Sequence, residues 1–356
     1  MLKNFLVTVK TLTPVHIGSG KVLQQDFDFV VHNGQTWVLN VERIFEERYA
    51  ADPGILEKLY SVPPGQLLKK EDLRSDSPFV RYSLAGAPAG REIREALKDA
   101  RDRPYIPGTS LKGAIRTVLA WRGWAELGLS LQKVRPGREK KFAARPIEAK
   151  IFGEDPHHDL LRALRIADSE PRDPGCLEIV QMRVWTRGRP AAPISVEAIR
   201  PNTTFSLQIT LDEALFSSWA GQERGFPLPH REWFTTLSET AWTRANALLR
   251  SAQAYWQRNG LFKDVLASLI MQLHQLKTSG TPGFPLCLGF GVGWEGMTLG
   301  LLLKEDPAWP QIFRELRIGR GNVSPEEFPR SRRVVVDSQG RPVSPLGWVW
   351  VEWKGV

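Results

Sequence analysis

The chain has 356 residues, 42% of them hydrophobic and 24% charged, which gives a folded protein of one large or two medium domains and excludes a disordered or fibrous chain. A formal charge of +9, from 48 Lys and Arg against 39 Asp and Glu, favours a polyanionic partner. Two cysteines, Cys176 and Cys287, are too few for a disulfide framework or a cysteine-rich zinc site and fit a reducing, cytoplasmic setting.

Residues 3–12 alternate as a first strand, without the apolar block of a signal peptide, and no apolar run reaches transmembrane length, so no membrane role is expected. Residues 14–20 form a glycine-containing loop. Strands at 27–31 and 37–41 flank His32-Asn-Gly-Gln35, where Asn-Gly signals a hairpin. Helices are expected near 42–50 and 54–60, and residues 61–90 read as a long insertion with limited structure.

The run Tyr105-Ile-Pro-Gly-Thr-Ser-Leu-Lys-Gly-Ala-Ile-Arg-Thr117 opens a helix that extends to about residue 127. Thr109 or Ser110 can cap it, and Leu111, Ile115, Val118 and Leu119 give it an apolar face. Lys112 and Arg116, four residues apart, share a face near a helix start whose free amides suit a phosphate. Gly113 between them has two readings, close RNA approach or close packing. A basic connection at 133–141 holds Arg135, Arg138, Lys140 and Lys141. A short helix precedes Ile151-Phe-Gly153, and strands follow at 164–167, 177–186 and 204–211. The second half reads as helices at 233–257 and 261–276, a glycine-rich turn, a mobile-looking basic segment and a strand at 347–354. The expected boundary separates residues 1–212 from 213–356, and strands interleaved with helices point to an α+β, ferredoxin-like unit.

Three further segments suit a nucleic acid. In His16-Ile-Gly-Ser-Gly-Lys21, Gly18 and Gly20 allow close backbone approach while Ser19 and Lys21 can hold a phosphate; a tight strand connection is the alternative. Gly289, Gly291 and Gly293 can let an RNA backbone pass, with Phe290 or Trp294 stacking on a base or packing in the core. Arg330, Arg332 and Arg333 can fork onto phosphates or form a solvated charge run. The candidate acids do not converge in sequence: Asp26 and Asp28 share a strand face, His157-His158-Asp159 reads as a loop or helix start, and Asp168-Ser169-Glu170 follows a strand. No catalytic residue, metal or cofactor is assigned. A processing endoribonuclease or 3′-end nuclease using His16 or these acids is the alternative.

Taken together and in order, residues 11–20, 105–116 and 151–153, Ala167-Asp-Ser169, Leu288–Trp294 and Phe328–Arg333 resemble the RAMP subunits of type III-A CRISPR (Csm) effector complexes, the fifth-subunit family most of all. The resemblance implies a ferredoxin-like, RRM-like RAMP fold, with two related domains bearing helical and loop insertions. It also implies a noncatalytic role capping the 3′-end side of CRISPR RNA and supporting its maturation. The implied partners are CRISPR RNA, the neighbouring RAMP backbone and small subunits, and target RNA. The residues placed on the guide-RNA surface by this likeness are His16, Gly18, Ser19, Gly20, Lys21, Ser110, Lys112, Gly113, Arg116, Gly289, Gly291, Gly293, Trp294, Arg330, Arg332 and Arg333. No aspartate matches the target-cleaving motif of the related repeating backbone subunit.

Overall fold

A computed structural model describes residues 1–51, 62–186, 189–222, 226–319 and 323–354; the helix expected at 54–60 lies outside them. In chain order the first half holds β1 (Leu2–Thr11), β2 (Gly18–Gln24), β3 (Phe29–His32), β4 (Gln35–Leu39), α1 (Val41–Ala51), β5 (Val80–Ala85), β6 (Glu92–Ala96), α2 (Gly108–Glu126), α3 (Arg145–Phe152), β7 (Leu164–Ile166), β8 (Leu177–Thr186), β9 (Arg189–Pro190), β10 (Ile194–Ile199) and β11 (Thr204–Asp212). The second half holds α4 (Glu232–Thr235), α5 (Leu237–Arg258), α6 (Phe262–Thr278), β12 (Phe284–Cys287), α7 (Gly293–Met297), α8 (Gly300–Glu305), α9 (Trp309–Glu315), β13 (Ser331–Val336), β14 (Pro342–Ser344) and β15 (Trp348–Trp353). Among the described residues no helix is long and apolar enough to cross a membrane.

One sheet runs β12-β15-β1-β11-β7, with all neighbours antiparallel. The path β1–α2–β7–β11–α5–β15 through it is the split βαβ arrangement of ferredoxin-like units. Alternation explains how β15 is buried on both sides. Val349 and Val351 join the main core with Leu111, Ile115 and Val118 of α2. Trp348 and Trp350 pack with Leu248 of α5 and Leu269 and Leu273 of α6. The second sheet runs β2-β6-β10-β8-β5-β4-β3, with β13 paired to β8. Strands from both sides of residue 212 share each sheet, so no break in either sheet marks that boundary.

The 33–34 hairpin forms as expected, with Asn33 and Gly34 both at positive φ (50° and 72°). Several expectations change. β5 lies inside the supposed insertion, and β6 and β10 add strands that the sequence reading missed. The segment after residue 294 carries α7, α8, α9 and the β13–β14 hairpin instead of a mobile run. Asp26 and Asp28 sit in the turn before β3, not on a strand face: Asp28 accepts from the Gln24 amide and Asp26 from Arg91.

The α2 N-terminus also departs from expectation. Pro107 occupies the cap position, and neither Thr109 nor Ser110 caps the helix through its side chain. The Gly108 amide donates instead to Asp168 Oδ1 at 2.7 Å, so a carboxylate from beyond β7 already stands at the positive end of the helix. Ser169 braces the same loop by accepting from the Ile106 amide. A Cβ on Gly108 would lie 2.2 Å from the Ile166 carbonyl oxygen, whereas one on Gly113 would meet nothing within 4 Å. Packing inside this chain therefore does not require Gly113. Gly108→Ala should cost on the order of 3 kcal/mol, because backbone cannot move aside cheaply. Gly113→Ala should stabilise by about 1 kcal/mol through helix propensity; thermal denaturation of the two variants checks both signs.

Candidate nucleic-acid interface

Two of the glycine motifs, one near each end of the sequence, meet in space. Gly289 adopts φ +77°, and a Cβ there would lie 2.3 Å from the His16 carbonyl oxygen. That close approach lets the Phe290 amide donate to the same oxygen at 2.8 Å. The Phe290 ring meets the His16 ring edge-on at 5.9 Å. It also packs beside Val180, Met182, Val196, Val335 and Leu346 on one face of the second sheet.

Strand register decides what else lies on that face. Arg94 of β6 pairs with Val196, Val196 with Val180, and Arg333 of β13 with Val184, so all share a face by the two-residue alternation of strands. The two guanidinium groups converge on one ring: Arg94 Cζ lies 4.9 Å and Arg333 Cζ 4.8 Å from the Phe290 centroid. Both side chains are exposed, and among the described residues neither has a carboxylate partner. The partial burial of the Arg333 guanidinium against the sheet, and then the neighbouring Arg94 charge, hold it below its ordinary pKa even though the residue as a whole is exposed. Two like charges beside an aromatic ring, without an anion between them among the described residues, have the chemistry that suits a phosphate next to a stacking surface.

His16 is a structural member of this site. Its Nδ1 lies 2.6 Å from the Glu197 carbonyl, which can only accept, so Nδ1 carries the proton and donates. Burial, followed by the Arg94 and Lys98 charges, favours the neutral ring and lowers its pKa, against the opposing effect of that hydrogen bond, which favours the charged ring. A histidine whose folded pKa is depressed contributes stability above the ordinary value near 6.5, and that stability is lost as pH falls toward the folded value. The chain should therefore lose stability on acidification below about pH 6.5. His16→Asn, which retains a donor but cannot charge, should flatten that slope in a series of denaturant titrations.

The RAMP superfamily model matches residues 8–332. The chain belongs to the RAMP superfamily. Its curated relatives include two proteins described as CRISPR system Cms protein Csm5. The Streptococcus thermophilus protein is 24% identical over 322 residues, spanning 82% of this chain and 78% of the relative. The Methanocaldococcus jannaschii protein is 24% identical over 386 residues, spanning 96% and 87%. Among solved structures, a chain of a Csm–crRNA–target RNA ternary complex from a type III-A CRISPR-Cas system superposes with TM-score 0.71. It is 27% identical, with 98% of this chain and 100% of that one covered. The crystal structure of T. onnurineus Csm5 gives TM-score 0.67 at 26% identity, covering 96% and 99%.

The other nominated residues of this RAMP chain are scattered among several environments. Gly18 and Gly20 belong to β2 rather than to an open loop, and Ser19 donates to Glu95 Oε2 at 2.7 Å. Lys21 stays exposed on that strand. Lys112 turns inward, its Nζ donating to the Leu164 carbonyl at 2.7 Å, and burial lowers its pKa. Arg116 lies 3.9 Å from the Phe152 centroid and pairs with Asp159 and Glu148. Ser110 and Gly113 lie on the same helix and, with Arg116, line a cavity of about 720 Å³ that Gly289 and Trp294 also border. Gly291 is buried against Leu346, and Gly293 starts α7. Trp294 packs on Phe328 and Trp309, which favours its core reading. Arg330 lies 3.8 Å from Glu327, and Arg332 pairs with Glu295.

The acids named from sequence likewise have structural partners. Asp159 caps the turn at Leu160–Ala163, and His158 contacts Asp155. Among the described residues, a metal-compatible grouping of three His, Cys, Asp or Glu ligands occurs at Glu126, His230 and Glu232, which includes none of those acids. Arg94 was missed altogether. Its strand, Glu-Ile-Arg-Glu-Ala, has a single strongly apolar side chain and follows a segment read as irregular.

Proposed function

We propose that this chain is a noncatalytic, CRISPR-RNA-binding subunit of a cytoplasmic type III-A effector ribonucleoprotein. In this reading it caps the 3′-end side of the guide and supports its maturation. The carrying observation is the Arg94 and Arg333 pair over Phe290, without a carboxylate partner among the described residues, at the junction of the two glycine motifs. The +9 charge, the RAMP fold and likeness to Csm5 proteins over most of the chain support it. So does the superposition on a chain from a complex that contains crRNA. Guide phosphates would rest on the two guanidinium groups, with Phe290 presenting an aromatic edge or face to the strand. RAMP backbone and small subunits are the expected protein partners.

Native affinity purification of the tagged chain, followed by sequencing of bound RNA, tests the reading. Guides should co-purify with RAMP subunits, and deleting the gene should change their 3′ ends. Recovery without guide RNA or partner subunits would remove the assignment.

A further inference from the structure

The indole of Trp233 organises a second cluster of side chains at the C-terminal end of α2. Gly123 makes room for it, since a Cβ there would lie 2.8 Å from Trp233 Cη2. The ring is fully buried against that helix, and its Nε1 donates to Glu126 Oε1 at 2.9 Å. His230 stacks on the same ring, with centroids 4.1 Å and planes 10° apart. Glu232 opens α4, and its Oε1 lies 3.5 Å from His230 Nδ1. One donor atom from each of Glu126, His230 and Glu232 lies within 4.8 Å of the other two. Solvent reaches all three side chains, which are 34%, 24% and 59% exposed. Arg122 donates to Glu126 Oε2 at 2.6 Å, but a carboxylate oxygen that accepts one hydrogen bond keeps a second lone pair. Arg231 is engaged by Glu213, so two carboxylates face one guanidinium and the cluster stays net negative.

We propose that Glu126, His230 and Glu232 bind one zinc-class divalent cation, with water completing its coordination, as a clip between the end of α2 and the start of α4. Zinc bonds to nitrogen and oxygen place tetrahedral ligands about 3.3 Å apart, so the His230–Glu232 pair already stands near ligand spacing. Rotation of the exposed glutamate side chains closes the remainder. An imidazole among the donors favours zinc over magnesium, which takes oxygen ligands. Trp233 holds two of the three ligands before the ion arrives, one by a hydrogen bond and one by stacking, as outer-shell contacts do in metal sites. The inference is independent of RNA binding.

Isothermal titration of the chelator-treated full chain with zinc chloride should show one saturable site, and magnesium chloride none of similar affinity. His230→Asn should weaken zinc binding by at least about tenfold. His230 sits at φ +62°, a left-handed conformation that asparagine tolerates, so this variant keeps the backbone. Glu232→Gln, at an exposed position, should weaken binding similarly and carries the test should His230→Asn fail to fold. His274→Asn, exposed on α6, should leave binding unchanged. With zinc a hundredfold above its Kd, Tm should rise by about 3 °C, a gain that His230→Asn removes. The site is overturned by a wild-type chain without a saturable zinc site, by zinc binding that survives both ligand substitutions, or by binding lost in His274→Asn instead. Magnesium binding as tight as zinc binding would overturn the zinc-class assignment.

Discussion

Lys98→Met should destabilise the fold by about 3–5 kcal/mol, the range for stranding one member of a buried ion pair. The reason is the position of Glu197. Its side chain is fully buried in β10, and it accepts from Tyr82 Oη and from the Ala96 amide, each at 2.8 Å. Lys98, with 3% of its side chain exposed, supplies the opposite charge to Glu197 and stands 3.6 Å from Glu95. Burial and the Glu197 charge push the Tyr82 phenol far above its ordinary pKa, so it remains a donor and never a second anion. Removing the ammonium leaves two carboxylates in a dry interior. Adding Glu197→Gln should restore much of the loss, because it removes the stranded charge. The denaturant midpoints of the singles and the double should therefore be strongly non-additive. Additive losses would mean that the ion pair is not the source of the effect. The network also reaches the interface, since the Glu197 carbonyl fixes His16 and the Glu95 carboxylate fixes Ser19.

Sequence periodicity revealed the parts of this fold whose signal repeats within one segment. The buried face of α2, the Asn33-Gly34 hairpin and the two-sided burial of β15 all follow from local spacing. β10 did not stand out, because Ile-Ser-Val-Glu-Ala-Ile places a carboxylate where a central strand ought to be apolar. The lysine that makes Glu197 tolerable lies 99 residues earlier. Distance also concealed the orientation of α2's cations. Spacing puts Lys112 and Arg116 on one face, but only folding brings up the Leu164 carbonyl and Asp159 that occupy them. The same limit applies to the interface. Each glycine run was visible, yet neither run indicates that Gly289 seats on His16 or that Arg94 arrives from an inconspicuous strand.

Replacing both Arg94 and Arg333 with Ala should lower affinity for single-stranded RNA by about 10- to 100-fold at low salt. Each phosphate contact on a single strand contributes about 0.7 to the slope of log affinity against log salt, so losing two should flatten it by roughly 1.4. Stability should change little. Neither guanidinium has a carboxylate partner among the described residues, and removing one relieves its repulsion from the other. Lys112→Ala gives the contrasting pattern. It should leave the salt slope intact and cost about 1–3 kcal/mol, because the Leu164 carbonyl loses its donor. Anisotropy titrations at several salt concentrations, paired with denaturation curves, separate the two patterns. An unchanged slope in the Arg double variant would show that RNA phosphates rest elsewhere on this chain. A flattened slope in Lys112→Ala would return the contact to α2, and with it the phosphate site that Asp168 now fills at the start of that helix.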